Sequence, residues 1–255
     1  MPTSSLKNGT VVITGATSGF GEATARLIAK SWPDAKLWIT GRRKERLDSL
    51  VKELGSSRVS SFCFDVSDRK AVENFAKSAG QENITVLVNN AGLAAGLDHF
   101  QDASVDDWDQ MIDTNLKGLL YMTRALLPGM IARKTGHIVN MGSIAGHVTY
   151  PKGHVYVATK SAVRALTESL RIDILGSNVR VTSIDPGMAE TEFSVVRFHG
   201  DQHKADAVYK GMRPLVADDI AEAILWSLDR PPHVNIQEII LMPTDQATPR
   251  DVSRK

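Results

Sequence analysis

The 255-residue chain has one cysteine, Cys63. A single thiol makes no internal disulfide and no cysteine-based metal cluster. Its place in the apolar run SFCFDV predicts a core residue. No charge sign dominates: 30 Lys and Arg stand against 29 Asp and Glu, a formal net charge of +1. That leaves no basic stripe for nucleic acid and no general attraction to a membrane surface. No apolar run is long enough to span a bilayer, and the opening MPTSSLKNGT has no apolar signal region. The terminal SRK is not the Ser-Lys-Leu address. A reducing, cytoplasmic compartment is expected. His99, His199 and His203 lack metal-like spacing with other ligands, so no zinc site is expected. Aromatic residues make up only 6%. Trp32, Trp38, Trp108 and Trp226 fall in or beside regular patterns and are expected to be core or packing residues.

What is present is an alternation. Apolar, β-rich runs at 10–14, 36–40, 58–64, 84–89, 137–142, 178–184 and 236–242 are separated by helical patterns such as GEATARLIAKSW, RKERLDSLVKEL, DRKAVENFAKSA and DDIAEAILWSL. The strand runs are continuously apolar, not alternating, which suits a parallel sheet covered on both faces. No repeat, low-complexity tract or linker divides the chain, so one α/β domain is expected over 1–255. Two long helical stretches, 108–132 and 155–175, are apolar on more than one face. They cover the sheet and also offer a subunit contact. DASVDDWDQ reads as a helix start capped by Ser104 or Asp106.

The segment TGATSGFG (14–21) follows the first strand and opens the first helix. Gly15, Gly19 and Gly21 permit a tight turn, close approach of backbone to phosphate, and close helix–strand packing. Thr17, Ser18 and Phe20 belong to the same loop. A helix N-terminus there presents free N–H groups to a pyrophosphate. At the end of the second strand, where an acidic residue would bind a ribose 2′-hydroxyl, stands Gly41, followed by Arg42 and Arg43. Guanidinium groups bind a 2′-phosphate that a carboxylate would repel. The expected cofactor is NADP(H).

Tyr156 and Lys160 are four residues apart in YVATK, with Ser143 thirteen residues before Tyr156. On a helix both side chains share a face. A nearby ammonium favours the phenolate and lowers the phenol pKa. A phenol so tuned exchanges a proton with a substrate oxygen, to which a serine hydroxyl also donates. The chemistry expected is alcohol–carbonyl interconversion.

These residues resemble the short-chain dehydrogenase/reductase family. TGATSGFG resembles its Thr-Gly-x-x-x-Gly-x-Gly loop, NNAG (89–92) its Asn-Asn-Ala-Gly motif, and Asn115, Ser143, Tyr156 and Lys160 its catalytic tetrad. DPG (185–187) with Thr191 resembles its nicotinamide loop, and FDV (64–66) the segment where Asp65 meets adenine. The resemblance implies a Rossmann-type, doubly wound, mainly seven-stranded parallel sheet and hydride transfer. It implies cofactor contacts from Asp65, Val66, Asn90, Ala91, Gly92, Tyr156, Lys160, Pro186, Gly187 and Thr191. Tyr156 would be the general acid or base, Lys160 would lower its pKa and bind the ribose, Ser143 would hold the substrate oxygen, and Asn115 would help position a water. Ser18 stands where many NADP enzymes of the family carry a basic side chain, which leaves phosphate selection to Arg42 and Arg43. A finer likeness, over nearly the whole chain, is to NADP-dependent 3-hydroxy acid dehydrogenases, a group that includes serine and L-allo-threonine dehydrogenases and semialdehyde reductases. A homotetramer, or dimer, through 108–132 and 155–175 is expected.

The stretch 191–211 lies where this family has a mobile substrate lid, expected over about 188–215. Arg197, flanked by Val195, Val196 and Phe198, either clamps the acid group of the substrate, carboxylate or sulfonate, or takes a structural role in an ion pair with Glu192 or Asp201 or in a subunit contact. His147 and His154 are assigned to loop or substrate-wall roles. The leading function is an NADP(H)-dependent oxidoreductase of a small 3-hydroxy acid and its semialdehyde or keto acid. Reduction of sulfoacetaldehyde or of broader aldehydes and ketones is one alternative. A catalytically silent NADP-binding regulator is another.

Overall fold

The computed structural model describes residues 5–80 and 82–255. Residues 1–4, part of the opening stretch inspected above for a signal region, lie outside it with Gln81. All seven expected strands form: β1 (Thr10–Ile13), β2 (Lys36–Gly41), β3 (Val59–Cys63), β4 (Ile84–Asn89), β5 (Gly136–Met141), β6 (Val179–Pro186) and β7 (Glu238–Leu241). They build one parallel sheet in the order β3-β2-β1-β4-β5-β6-β7.

Successive side chains of a strand point to opposite faces, and β1 feeds two cores in this way. Val11 and Ile13 join the cluster that packs α1 (Gly19–Ser31), α2 (Lys44–Leu54) and α9 (Ala217–Leu228) on one face. Val12 joins the cluster on the other face, with Val72 and Phe75 of α3 (Arg69–Ala79) and Met122, Leu126 and Met130 of α5 (Leu119–Arg133). The central strands β1, β4, β5 and β6 are buried on both faces, which suits their largely apolar runs.

The long stretch 108–132 is not one helix. α4 (Val105–Ile112) runs into a π-helical segment, Asp113–Gly118, before α5 begins. Ser104 caps α4, accepting from the Asp107 N–H at 3.4 Å. α6 (His154–Asp173) begins where the loop ends, and α7 (Glu192–Arg197) and α8 (Gln202–Tyr209) follow β6. Among the described residues no helix is long and apolar enough to cross a membrane.

The core expectation for Cys63 fails. Cys63 is exposed, because β3 is the edge strand and Cys63 ends it; its Sγ lies 3.6 Å from the Arg42 carbonyl. Trp226 is 47% exposed and stacks on Arg230. It lies on α9, on the side away from the buried Ile220, Ile224 and Leu228. Trp32 and Trp38 are buried, whereas Trp108 is only half-buried.

Strand order reverses between β1 and β4. In an open parallel sheet, that reversal leaves a crevice beyond the carboxyl ends of the strands.

Candidate active site

The crevice is stitched by Thr14, just past β1. Its Oγ1 accepts from the N–H groups of Asn90 (3.0 Å) and Ala91 (2.9 Å), while Asn90 Nδ2 donates to the carbonyls of Thr14 and Gly15. Gly15 has φ +67, and a Cβ there would lie 2.9 Å from Ala91 Cα. The loop after β1 therefore lies directly on the loop after β4. Ser18 occupies the N-cap of α1 without capping it; its Oγ accepts from Arg43 instead, at 2.7 Å. The first-turn N–H groups of α1 are left facing the cleft, a ready anion site.

Gly41 is fixed by packing. A Cβ there would stand 2.6 Å from Thr17 Cγ2, so no acidic side chain fits. Arg43 reaches across the loop, donating to Thr17 Oγ1 (2.9 Å), Ser18 Oγ and Glu192 (2.8 Å). Arg46 pairs with the other Glu192 oxygen at 2.6 Å. Burial raises the Glu192 carboxyl, but Arg43 and Arg46 outweigh it and hold the group below its usual value. Arg42 lies 3.4 Å from Asp65 Oδ2, and Ser67 donates twice to Asp65 Oδ1. Burial raises Asp65 too, and the bonds from Ser67 and Arg42 bring it below normal.

Two cavities open from this crevice. One, of about 270 Å³, runs along Gly15, Ser18, Arg42, Arg43, Asp65 and Gly92 to Lys160. Thr17, Gly19, Val66, Asn90 and Ala91 also line it. The other, of about 530 Å³, is lined by Ser143, Tyr150, Pro186, Gly187, Arg197 and Tyr209. Both touch Phe20, Gly142, Tyr156, Thr191 and Phe193. The phenol thus stands where the two spaces meet. Gly21 lines neither; a Cβ on it would run into Asn90 and the Gly15 carbonyl, so its part is helix–loop packing.

Tyr156 and Lys160 sit in the first two turns of α6, as their spacing predicts. Lys160 Nζ is buried and donates to the Met141 carbonyl at 2.7 Å, lying 5.8 Å from the Tyr156 ring centre. Burial brings Lys160 down to about 8, with Asp185 pulling the other way. Tyr156 keeps some open surface, yet burial dominates its surroundings and raises the phenol well above its ordinary value. Tyr150 adds to the rise; the hydrogen bond with Ser143 and the charge of Arg197 oppose it. The expectation of a lowered phenol pKa is therefore reversed in the free protein, because desolvation outweighs the hydrogen bond with Ser143 and the charge of Arg197.

Asn115 is a strut. Its Oδ1 accepts from the Leu93 N–H (2.8 Å), and its Nδ2 donates to the Leu93 carbonyl (2.8 Å) and Thr159 Oγ1 (3.2 Å). It lies in the π-helical segment and lines neither cavity. Its side chain ties the π-helical segment to the backbone after NNAG and to α6.

Arg197 forms neither of the ion pairs expected of it. Glu192 is taken by Arg43 and Arg46, and Asp201 by Lys204. Arg197 donates to the Gly96 carbonyl and to the Tyr150 hydroxyl, both at 3.2 Å, and its guanidinium carbon is 5.9 Å from the Tyr156 ring centre. His154 packs edge-on against Phe100 and Trp108, which also contact each other. His147 bonds Asp185. Tyr150 went unnoticed as a site residue in the sequence, since it belongs to no spaced motif; Asp185 was seen only as part of DPG, and Glu192 only as a partner for Arg197.

Residues 9–201 match the family profile described as short chain dehydrogenase. The chain belongs to the short-chain dehydrogenase family. It is 50% identical over 240 residues to the NADP-dependent 3-hydroxy acid dehydrogenase YdfG of Salmonella typhi, covering 93% of this chain and 96% of that one. It is 47% identical over 243 residues to serine 3-dehydrogenase of Agrobacterium fabrum, covering 94% and 96%. Among solved structures, the closed form of serine dehydrogenase complexed with NADP+ superimposes with a TM-score of 0.90 at 48% identity, covering 93% of this chain and 96% of that one. The fold, with its seven parallel strands and single α/β domain, is the family's dinucleotide-binding sheet.

Proposed function

We propose that this short-chain dehydrogenase is an NADP(H)-dependent oxidoreductase that interconverts a small 3-hydroxy acid with its semialdehyde or keto acid. The reading rests on one observation above the rest. The phosphate-type cleft and the larger chamber meet at Tyr156, with Ser143 on the chamber side and Lys160 on the cleft side. The likeness to NADP-dependent 3-hydroxy acid and serine dehydrogenases supports the same substrate class.

The residues present fit NADP(H). The uncapped start of α1 receives a pyrophosphate, Gly41 excludes the carboxylate that would repel a 2′-phosphate, and Arg42 and Arg43 stand beside it. When bound, the cofactor accepts or returns the hydride. The chain's own part is the proton. In oxidation the substrate O–H proton passes to the Tyr156 oxygen as the carbonyl forms; in reduction Tyr156 returns it. Ser143 donates to the same substrate oxygen. Lys160, as an ammonium, favours the phenolate that oxidation requires. Asn115 keeps Leu93 and the NNAG loop in place.

Arg197 holds the acid group. It points into the chamber without an acidic partner among the pairs found, and Tyr150 and Gly96 aim it. The segment 188–215, carrying Thr191, α7 and α8, acts as the lid. The chamber's breadth and apolar walls, with Tyr150, Pro151, Phe193 and Phe198, favour broader aldehyde and ketone reduction as the second reading. Exposed Leu120 and Ile131 on α5, with Ile172 and Leu175 at the end of α6, support association as a homotetramer or dimer. An exposed free thiol at Cys63 suits a reducing cytoplasm.

The test is an NADP+ reduction screen with serine, allo-threonine, 3-hydroxypropionate, 3-hydroxyisobutyrate and isethionate. Turnover of one or more carboxylic 3-hydroxy acids is expected. Activity confined to isethionate or to neutral alcohols removes the substrate class. Tight NADPH binding with no turnover on any compound makes the chain a regulator.

A further inference from the structure

Beside the first turns of α6, three side chains converge that the reaction above does not use. Asp185, near the end of β6, is 1% exposed. Its Oδ1 accepts from Ser183 Oγ at 2.5 Å, and its Oδ2 accepts from His147 Nε2 at 2.6 Å. The same imidazole nitrogen lies 3.4 Å from Glu238 Oε1 on β7, and Arg164 Nε of α6 lies 3.7 Å from that oxygen.

The carboxylate presses on Gly142, where any Cβ would collide with Asp185 Oδ1. On one side of Gly142 is Met141, whose carbonyl takes the hydrogen bond from Lys160 Nζ. On the other is Ser143. A buried anion and a buried cation therefore flank one three-residue segment of the active site. An ammonium withdrawn from water requires an opposing charge to stay protonated. Asp185 is the one carboxylate whose influence on Lys160 is resolved, and it opposes burial.

We propose that Asp185 is a positioning residue of this site, the buried counter-charge that keeps Lys160 an ammonium, with Ser183 and His147 holding the carboxylate in place. Glu238 is the neighbour that yields. Burial, and then the bond to and charge of Asp185, raise the Glu238 carboxyl, while His147 and Arg164 moderate the rise. Tyr156 also feels Asp185, which disfavours the phenolate. The carboxylate thus favours protonated forms of both residues.

The proposal rests on the reading that Lys160 acts as a cation beside bound NADP(H). It is tested on the full-length protein by NADPH affinity between pH 6 and 10, read from NADPH fluorescence. Wild-type affinity should hold to near pH 8 and weaken above, as Lys160 loses its proton. Asp185→Asn should move that break down by about one pH unit, with an unchanged circular dichroism spectrum. Glu238→Gln, which leaves Asp185 in place, should not move it. His147→Ala, on a partly open turn, should move it the same way by less, and serves if Asp185→Asn fails to fold. A break that stays put in both Asp185→Asn and His147→Ala overturns the proposal, as does equal weakening at every pH. If the wild type oxidises no 3-hydroxy acid, the functional reading fails, and the binding titration still decides the role of Asp185.

Discussion

Glu192 and Arg43 meet at 2.8 Å across 149 positions of sequence, tying the start of α7 to the start of α2 over the cofactor cleft. Arg46 takes the second oxygen of the same carboxylate. An anion of the chain thus rests against a guanidinium assigned to the 2′-phosphate, and the two compete for it. Glu192→Gln should raise the preference for NADPH over NADH by a few-fold, measured by fluorescence titration of both cofactors. These pairs are partly exposed, so stability should change by no more than about 1 kcal/mol. A fall in NADPH preference would show that Glu192 aids the phosphate.

Replacing Arg42 and Arg43 together by Ala should weaken NADPH about 10- to 100-fold, the cost of one or two charge-assisted hydrogen bonds. NADH should change by less than about 3-fold by the same reasoning, since it lacks the phosphate. Equal losses for both cofactors would place the 2′-phosphate elsewhere.

Tyr156→Phe should abolish turnover while NADPH affinity stays close to wild type. The ring remains between the two cavities, and only the proton carrier is lost. Stopped-flow measurement of a single turnover separates this from slow product release. Retained turnover would move the general acid to another residue.

Lys160 should cost the fold stability at neutral pH. Its folded pKa of about 8 lies below the ordinary lysine value. Between these two values the unfolded chain binds more protons than the folded one, so this group's contribution to stability rises with pH through that window. Below about pH 8 the buried ammonium exerts its full penalty. Lys160→Met should therefore raise Tm at pH 7 by a few degrees, from a gain on the order of 1–2 kcal/mol, while eliminating catalysis. Calorimetry at pH 7 and pH 10 should show the advantage shrinking at the higher pH.

Arg197→Ala should raise KM for a 3-hydroxy acid about 10- to 100-fold, as expected for loss of a charged hydrogen-bonding partner, and leave a neutral ketone little changed. Steady-state kinetics on both substrates decides the matter. Matching losses would make Arg197 a lid strut between Gly96 and Tyr150.

Several parts of the molecule were legible without coordinates. All seven strands lay within a residue or two of their apolar runs, because β-rich apolar stretches bounded by turn residues mark strands locally. The Tyr156–Lys160 spacing placed both residues on one face of α6, since four residues make about one helical turn. Gly15 and Gly41 were legible as gaps where a side chain is not allowed, although the contacts that forbid one, with Ala91 and Thr17, appear only in three dimensions.

Other features depended on neighbours that no local pattern reveals. Cys63 looked buried from its apolar run, but strand order put β3 at the sheet edge. Asn115 was legible as a motif residue, but its bonds to Leu93 and Thr159 appear only in three dimensions. The phenol of Tyr156 looked set for a lowered pKa beside a lysine, yet burial in the folded site raises it. Periodicity and glycine spacing are local properties of the chain, so sequence alone determined the sheet, the cofactor loop and the face shared by Tyr156 and Lys160. Charge balance inside the site depends on distance and lost water among residues far apart in sequence. For that reason only the tertiary structure decided that Glu192 engages Arg43, that Arg197 faces the chamber, and that Asp185 stands behind Lys160.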